Sequence, residues 1–239
     1  MDNDLIVITA ASRVAGTMTE YLDQLHQAEI DVWVEDLSQQ SLSGAGGNLG
    51  YKLKMMRDFA NRFHNYSHIV MTDAWDVTFY GTKEQVIAKI PLALPLWGAE
   101  KNCYPDPHLK DWIGGTTPWR FANGGLLAGT PSSISYWCDE AERHHLYDSL
   151  ILDQQFLNRV LAEQTKEFMR SPFVLIDSKT ELFFCLHSGY EELDWENGKP
   201  VNTLTSTRPA WVHANGKWPA DEAFRKRDES CTTSQPSAR

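Results

Sequence analysis

The chain has 239 residues, 42% hydrophobic and 23% charged, with a formal net charge of −10. That length supports one sizeable core or two small ones, and the acid excess excludes a generic phosphate-backbone binder, leaving only a local basic groove open. No apolar run approaches the roughly 20 residues that cross a bilayer, and Met1-Asp2-Asn3-Asp4 lacks the basic and apolar regions of a signal peptide, so a cytoplasmic protein without membrane attachment is expected.

Leu5-Ile6-Val7-Ile8-Thr9 is a short β-branched run of the kind that forms a buried parallel strand. Thr17 and Glu20 have capping-box spacing, and Met18, Tyr21, Leu22 and Leu25 follow on one helix face. Asp31 to Glu35 alternates like a strand. A Gly-rich loop, Ser43 to Asn48, precedes a second helical stripe of Met56, Phe59, Ala60 and Phe63. Ser67 to Thr72 reads as the next buried strand and runs into Asp73. Further strands are predicted at Leu94–Ala99, Gly125–Ala128, Phe173–Ile176, Leu182–Leu186 and Ala210–His213, and helices at Lys83–Ile90, Ser132–His144 and Leu152–Ala162. This alternation predicts an α/β fold: a mainly parallel central sheet flanked by helices on both faces. Residues 1–220 are expected to form a single domain, and the charged and polar stretch 221–239 a flexible tail. Cys103, Cys138, Cys185 and Cys231 show no paired spacing and read as reduced, structural thiols.

In such sheets ligands sit beyond the carboxyl ends of the strands. Asp73 stands there, and Asp76 follows three residues later. Two carboxylates so close repel unless a cation lies between them. An oxygen-rich pair with few protein ligands suits Mg²⁺ or Mn²⁺, which keep open positions for phosphate oxygens. Taken alone, the pair also reads as a turn cap and a solvated loop acid. His213 ends its own predicted strand; taken alone it reads as a satisfied structural histidine, though an imidazole there is also an acceptable Mn²⁺ ligand.

His68 to Gly81, with Asp73-Ala74-Trp75-Asp76 at its centre, resembles the metal-binding segment of the glycosyltransferase domain in procollagen lysyl hydroxylase/glycosyltransferases. Five more segments are similar to that family in the same order: Gly98 to Pro105, Phe121 to Leu126, Asp153 to Phe156, Ile176 to Phe183, and Trp211 to Gly216. The resemblance, spanning about Gly46 to Lys217, implies a GT-A fold, a UDP-sugar donor and Mn²⁺ (Mg²⁺ as the substitute) held by Asp73, Asp76 and His213. It implies a donor-sugar or catalytic role for Asp153, and Glu100 and Asn123 are expected in the catalytic set with it, Glu100 as a hydrogen-bond partner of donor or acceptor. Thr9, Ala10 and Trp75 are expected at the uracil and ribose, and Lys52, Asn215, Gly216 and Lys217 at the diphosphate. Asn123-Gly124-Gly125 is expected to bring the backbone against the sugar ring.

Two departures bear on the acceptor: Tyr104 stands where the family has Trp, and the aspartate run before Asp153 is reduced to Ser149-Leu150-Ile151-Leu152. With no hydroxylase segment or leader in the sequence, collagen is not the expected acceptor; protein, glycan, small molecule and modified DNA all stay open. The reading is a metal-dependent transferase moving a hexose, glucose or galactose, to an acceptor hydroxyl. The alternatives are a glycosyltransferase acting on hydroxymethylated bases of phage DNA and a catalytically silent sugar-nucleotide-binding or interaction protein.

Overall fold

A computed structural model of the chain describes residues 3–14, 17–38, 49–143, 151–167, 173–216 and 227–228. Lys217, Cys231 and the Gly-rich loop lie outside the described residues. The elements run β1 (Leu5–Ala11), α1 (Thr17–Gln27), β2 (Asp31–Asp36), α2 (Leu49–Arg62), β3 (His68–Thr72), β4 (Val77–Phe79), α3 (Lys83–Ile87), β5 (Leu96–Glu100), β6 (Phe121–Gly129), α4 (Pro131–Arg143), α5 (Asp153–Glu167), β7 (Leu175–Ile176), β8 (Phe183–Cys185), β9 (Leu193–Glu196), β10 (Lys199–Asn202) and β11 (Trp211–His213).

Six strands form the central sheet in the order β2-β1-β3-β6-β5-β7. β1 pairs parallel with β2 and β3, and β5 parallel with β7, whereas β6 runs antiparallel to both its neighbours. The predicted α/β architecture is present, with this one reversal. A second sheet, β4-β11-β8, contains two strands that the sequence pattern does not separate from the first, and β9 and β10 form a hairpin.

Successive strand residues point to opposite faces. Ile6, Ile8, Ile69, Met71, Trp97 and Leu127 pack on one face against α2, α4 and α5. Leu5, Val7, Val70, Leu126 and Ala128 pack on the other against Tyr21 and Leu25 of α1, Val86 of α3, and the second sheet. Both faces are covered, which is why the strands read as continuous apolar runs rather than alternating ones. Burial of this kind contributes roughly 1.5–3 kcal/mol per large side chain.

The predicted capping box at Thr17 does not form. Thr17 is already inside α1, and its hydroxyl donates to the Trp75 carbonyl, fastening the helix to the Asp73–Asp76 turn. The capping box lies instead on α3, between Thr82 and Gln85.

A shift in register places the site. Glu100, Ala99 and Gly98 of β5 pair with Phe121, Ala122 and Asn123, and the pairing then jumps to Trp97 with Leu127. Gly124, Gly125 and Leu126 therefore bow away from β5, and the Gly125 carbonyl accepts from the Asp73 amide at 2.8 Å. Bulges next to active sites commonly re-aim a strand in this way.

Candidate active site

The cleft lies across the carboxyl ends of β1, β3 and β5, with a volume of about 910 Å³. Its lining includes Ala10, Lys52, Asp73, Asp76, Glu100, Asn123, Asp153, His187, His213, Asn215 and Gly216. Four carboxylates face it against one lysine and two imidazoles, so its electrostatic demand is for a cation.

Asp73 follows the last residue of β3 and Asp76 precedes β4, so the whole turn spans two strands from different sheets. The Asp76 carbonyl accepts from the Ala214 amide at 2.7 Å, which locks the turn to the loop after β11. His213 Nε2 then lies 3.4 Å from Asp73 Oδ2 and 3.3 Å from Asp76 Oδ2. The imidazole is 3% exposed and forms the floor; the carboxylates, at 54% and 42%, open to the cleft.

Burial alone would lower the His213 pKa, but the two carboxylates and the Cys185 thiol outweigh it and raise it well above the ordinary value. For Asp73, burial acts upward, and hydrogen bonding and charge from His213 with the charge of Lys52 bring it below the carboxylate range.

The donor set fits a divalent ion. One ligand atom from each of Asp73, Asp76 and His213 lies within 4.8 Å of the others. A side chain at position 125 would close the site, since a Cβ there would collide with Asp73 Oδ2 and lie 2.6 Å from His213 Cε1. Carboxylate oxygens with one imidazole suit Mn²⁺ or Mg²⁺ better than a thiolate-seeking ion.

Asp153 opens α5 and is 6% exposed. Its Oδ2 accepts from Lys52 Nζ at 2.6 Å, and Lys52 also donates to the Gly124 carbonyl. Burial works against the Lys52 ammonium, yet the charges of Asp153 and Asp73 raise its pKa above the ordinary value. A Cβ on Gly124 would lie 2.5 Å from Asp153 Oδ2. The glycine pair thus makes room for the carboxylates of Asp153 and Asp73.

Glu100 is 2% exposed. Its carboxylate accepts from Asn123 Nδ2 at 2.9 Å, Gln154 Nε2 at 2.8 Å and Asn215 Nδ2 at 2.6 Å. It therefore ties β6, α5 and the loop after β11 into one wall. Burial pushes its carboxyl above the ordinary range, against the pull of the Asn123 and Gln154 amides.

The remaining expected residues are distributed as follows. Ala10 lines the cleft. Thr9 is buried, its hydroxyl donating to the Thr72 carbonyl at 3.0 Å, and it borders a small side pocket with Ala10 and Lys52. Trp75 is 48% exposed and outside the cleft lining; its indole N–H donates to the Arg13 carbonyl at 3.1 Å. Asn215 and Gly216 line the cleft beside His213. Sequence reasoning missed His187 and gave Gln154 no role. Both carried a signal: His187 follows a predicted strand, and Gln154 adjoins Asp153.

A GT-A-like sheet whose strand ends carry an aspartate pair, a late histidine and a donor-sized cleft defines the class of the glycosyltransferases. The chain belongs to the PLOD GT domain family, which matches residues 1–221. No curated protein matches it. Among solved structures the chain is similar to a glycosyltransferase involved in the glycosylation of the major capsid of PBCV-1, at 10% identity with a TM-score of 0.50 over 96% of this chain and 99% of that one. At that identity the likeness is one of fold. Among the described residues no helix is long and apolar enough to cross a membrane.

Proposed function

We propose that this protein transfers a hexose, glucose or galactose, from a UDP-sugar to an acceptor hydroxyl, with Mn²⁺ (or Mg²⁺) held by Asp73, Asp76 and His213. The observation that carries the reading is the convergence of those three side chains, from two sheets, on the edge of a cleft large enough for a nucleotide sugar. When bound, the ion supplies charge neutralisation at the diphosphate. The rest is positioning by the chain's own residues. Ala10 and Leu37, at the β1–β2 end of the cleft, receive the nucleoside. Asp153, held in place by Lys52 and Gly124, faces the sugar and its anomeric carbon. Glu100 orients the amides of Asn123, Gln154 and Asn215 around the reacting region. Asn215, Gly216 and Lys217 meet the diphosphate. Residues 1–220 carry the activity.

An acceptor other than DNA is favoured by the chain's net charge of −10 and by a cleft lining with Lys52 as its one Lys or Arg among the described residues, where a nucleic-acid backbone calls for clustered basic groups.

The test is UDP release from a panel of UDP-sugars, with Mn²⁺ or with EDTA, for wild type and Asp76→Ala. Metal-dependent release that falls at least about a hundredfold in the variant is expected, the scale of losing a group that stabilises transition-state charge. Binding of Mn²⁺ and UDP with no transfer or hydrolysis of any donor would establish the silent binding protein instead.

A further inference from the structure

β8 and β11 run parallel, with Cys185 opposite His213. Two residues further along each strand direction stand His187 and Asn215, and the His187 amide donates to Asn215 Oδ1 at 3.0 Å. This fixes His187 beside Asn215, two residues past the Cys185–His213 pair, in the lining of the same cleft. Gly216 has φ +74°, and a Cβ there would lie 2.5 Å from His187 Nδ1. The backbone of Gly216 and the His187 imidazole are therefore packed against each other, and the glycine admits the ring.

The position along the cleft sets what His187 can meet. Ala10 and Leu37, at the ends of β1 and β2, mark one side; Asp73 and His213 stand in the middle. β8 packs against β5, so His187 lies beyond the aspartates, on the side of Glu100 and away from β1 and β2. With the nucleoside on the β1–β2 side, the part of the donor that reaches His187 has passed the ion. The distal phosphate and the sugar both lie past the ion, and of the two the phosphate is the part that Asn215 and Gly216 are proposed to meet, the residues against which His187 is held.

The chemistry agrees. Lys52 is committed to Asp153 and the Gly124 carbonyl, and His213 to the two aspartates. The His187 ring has no hydrogen-bond partner among the described residues. An imidazole carries an N–H in either protonation state, and hydrogen bonds to ionised phosphate are among the strong ones. We propose that His187 is a donor-positioning residue whose ring N–H binds the distal phosphate of a nucleoside diphosphate. This rests on the nucleotide-sugar reading of the cleft.

The test is calorimetric titration of UDP, UMP and Mn²⁺ into wild type, His187→Ala and His187→Gln. UDP binding, measured with Mn²⁺ present, is expected to weaken about tenfold in His187→Ala. UMP and Mn²⁺ affinities should stay within about twofold, because neither ligand presents a distal phosphate. His187→Gln, which keeps an N–H donor, should recover part of the loss. Equal UDP affinities in wild type and both variants would overturn this inference and leave the donor reading standing. An equal loss for UMP would overturn it too, showing a general disturbance of the cleft. Absence of UDP binding by wild type would instead overturn the donor reading, and this inference with it.

Discussion

Two glycines decide the site at the residue scale. Gly125 has no positive φ, so its backbone suits any residue; the demand for glycine comes from Asp73 and His213 standing where a Cβ would be. Gly125→Ala should therefore weaken Mn²⁺ binding at least about tenfold, the usual cost of displacing a ligand or its support, with a loss of about 1–3 kcal/mol in stability from crowding the buried His213 ring. Calorimetric titration with Mn²⁺ checks this, with the thermal midpoint of the metal-free protein as the control; unchanged affinity would remove the steric argument. The Asn123-Gly124-Gly125 motif is plain in the sequence, but its reason is not. The carboxylates it accommodates arrive from positions 73 and 153, and only folding brings them there.

At the scale of elements, helix α5 is tied to the β5–β6 loop through one carboxylate. Asp106 accepts from Gln155 Nε2 at 3.0 and 2.9 Å and from Arg159 Nε at 3.0 Å. Gln155 and Arg159 are one turn apart, so both reach the same partner. Burial acts upward on the Asp106 carboxyl, and its bonds to Gln155 and Arg159 outweigh this and lower its pKa. A carboxylate lowered on folding stabilises the protein in full above its unfolded pKa, about 3.9, and loses that contribution as pH falls through the lower folded value. Arg159 is half exposed, so the contribution is small, ~1 kcal/mol. Asp106→Asn should lower the urea-unfolding free energy by that amount near pH 6 and by much less near pH 3. A difference that persists undiminished at the lower pH would mean that the carboxylate charge is not what holds the loop.

For the whole molecule, the candidate metal triad joins parts far apart in the chain. Asp73 and Asp76 link β3 of the central sheet to β4 of the second, and His213 lies on β11, which pairs with β4 and β8. An ion held there as proposed would clamp the two sheets together and link its binding to global stability. At about 100 times its dissociation constant, Mn²⁺ should add about 2.7 kcal/mol. For a chain of this size that raises the melting temperature by roughly 5–10 °C. Differential scanning fluorimetry should show this rise in wild type and none in Asp76→Ala; equal shifts in both would place the ion elsewhere.

The apolar runs at Leu5–Thr9 and Ser67–Thr72 determined their strands by themselves, because each is buried on both faces of the sheet and so is continuously hydrophobic. The position of Asp73 at a strand end was legible for the same reason, and the ordered motifs made the family legible with it. Short pieces escaped: β4 has three residues, too few to show a period, and β9 alternates buried and exposed residues over only four. The reversal of β6 was also hidden, since a strand buried on both faces carries no mark of its direction. Only the tertiary structure decided that Glu100 takes three amides from three elements, that Lys52 pairs with Asp153 across 101 residues of chain, and that His187 stands beside Asn215. These are long-range pairings set by sheet order and register, and nothing in local propensity or spacing encodes them.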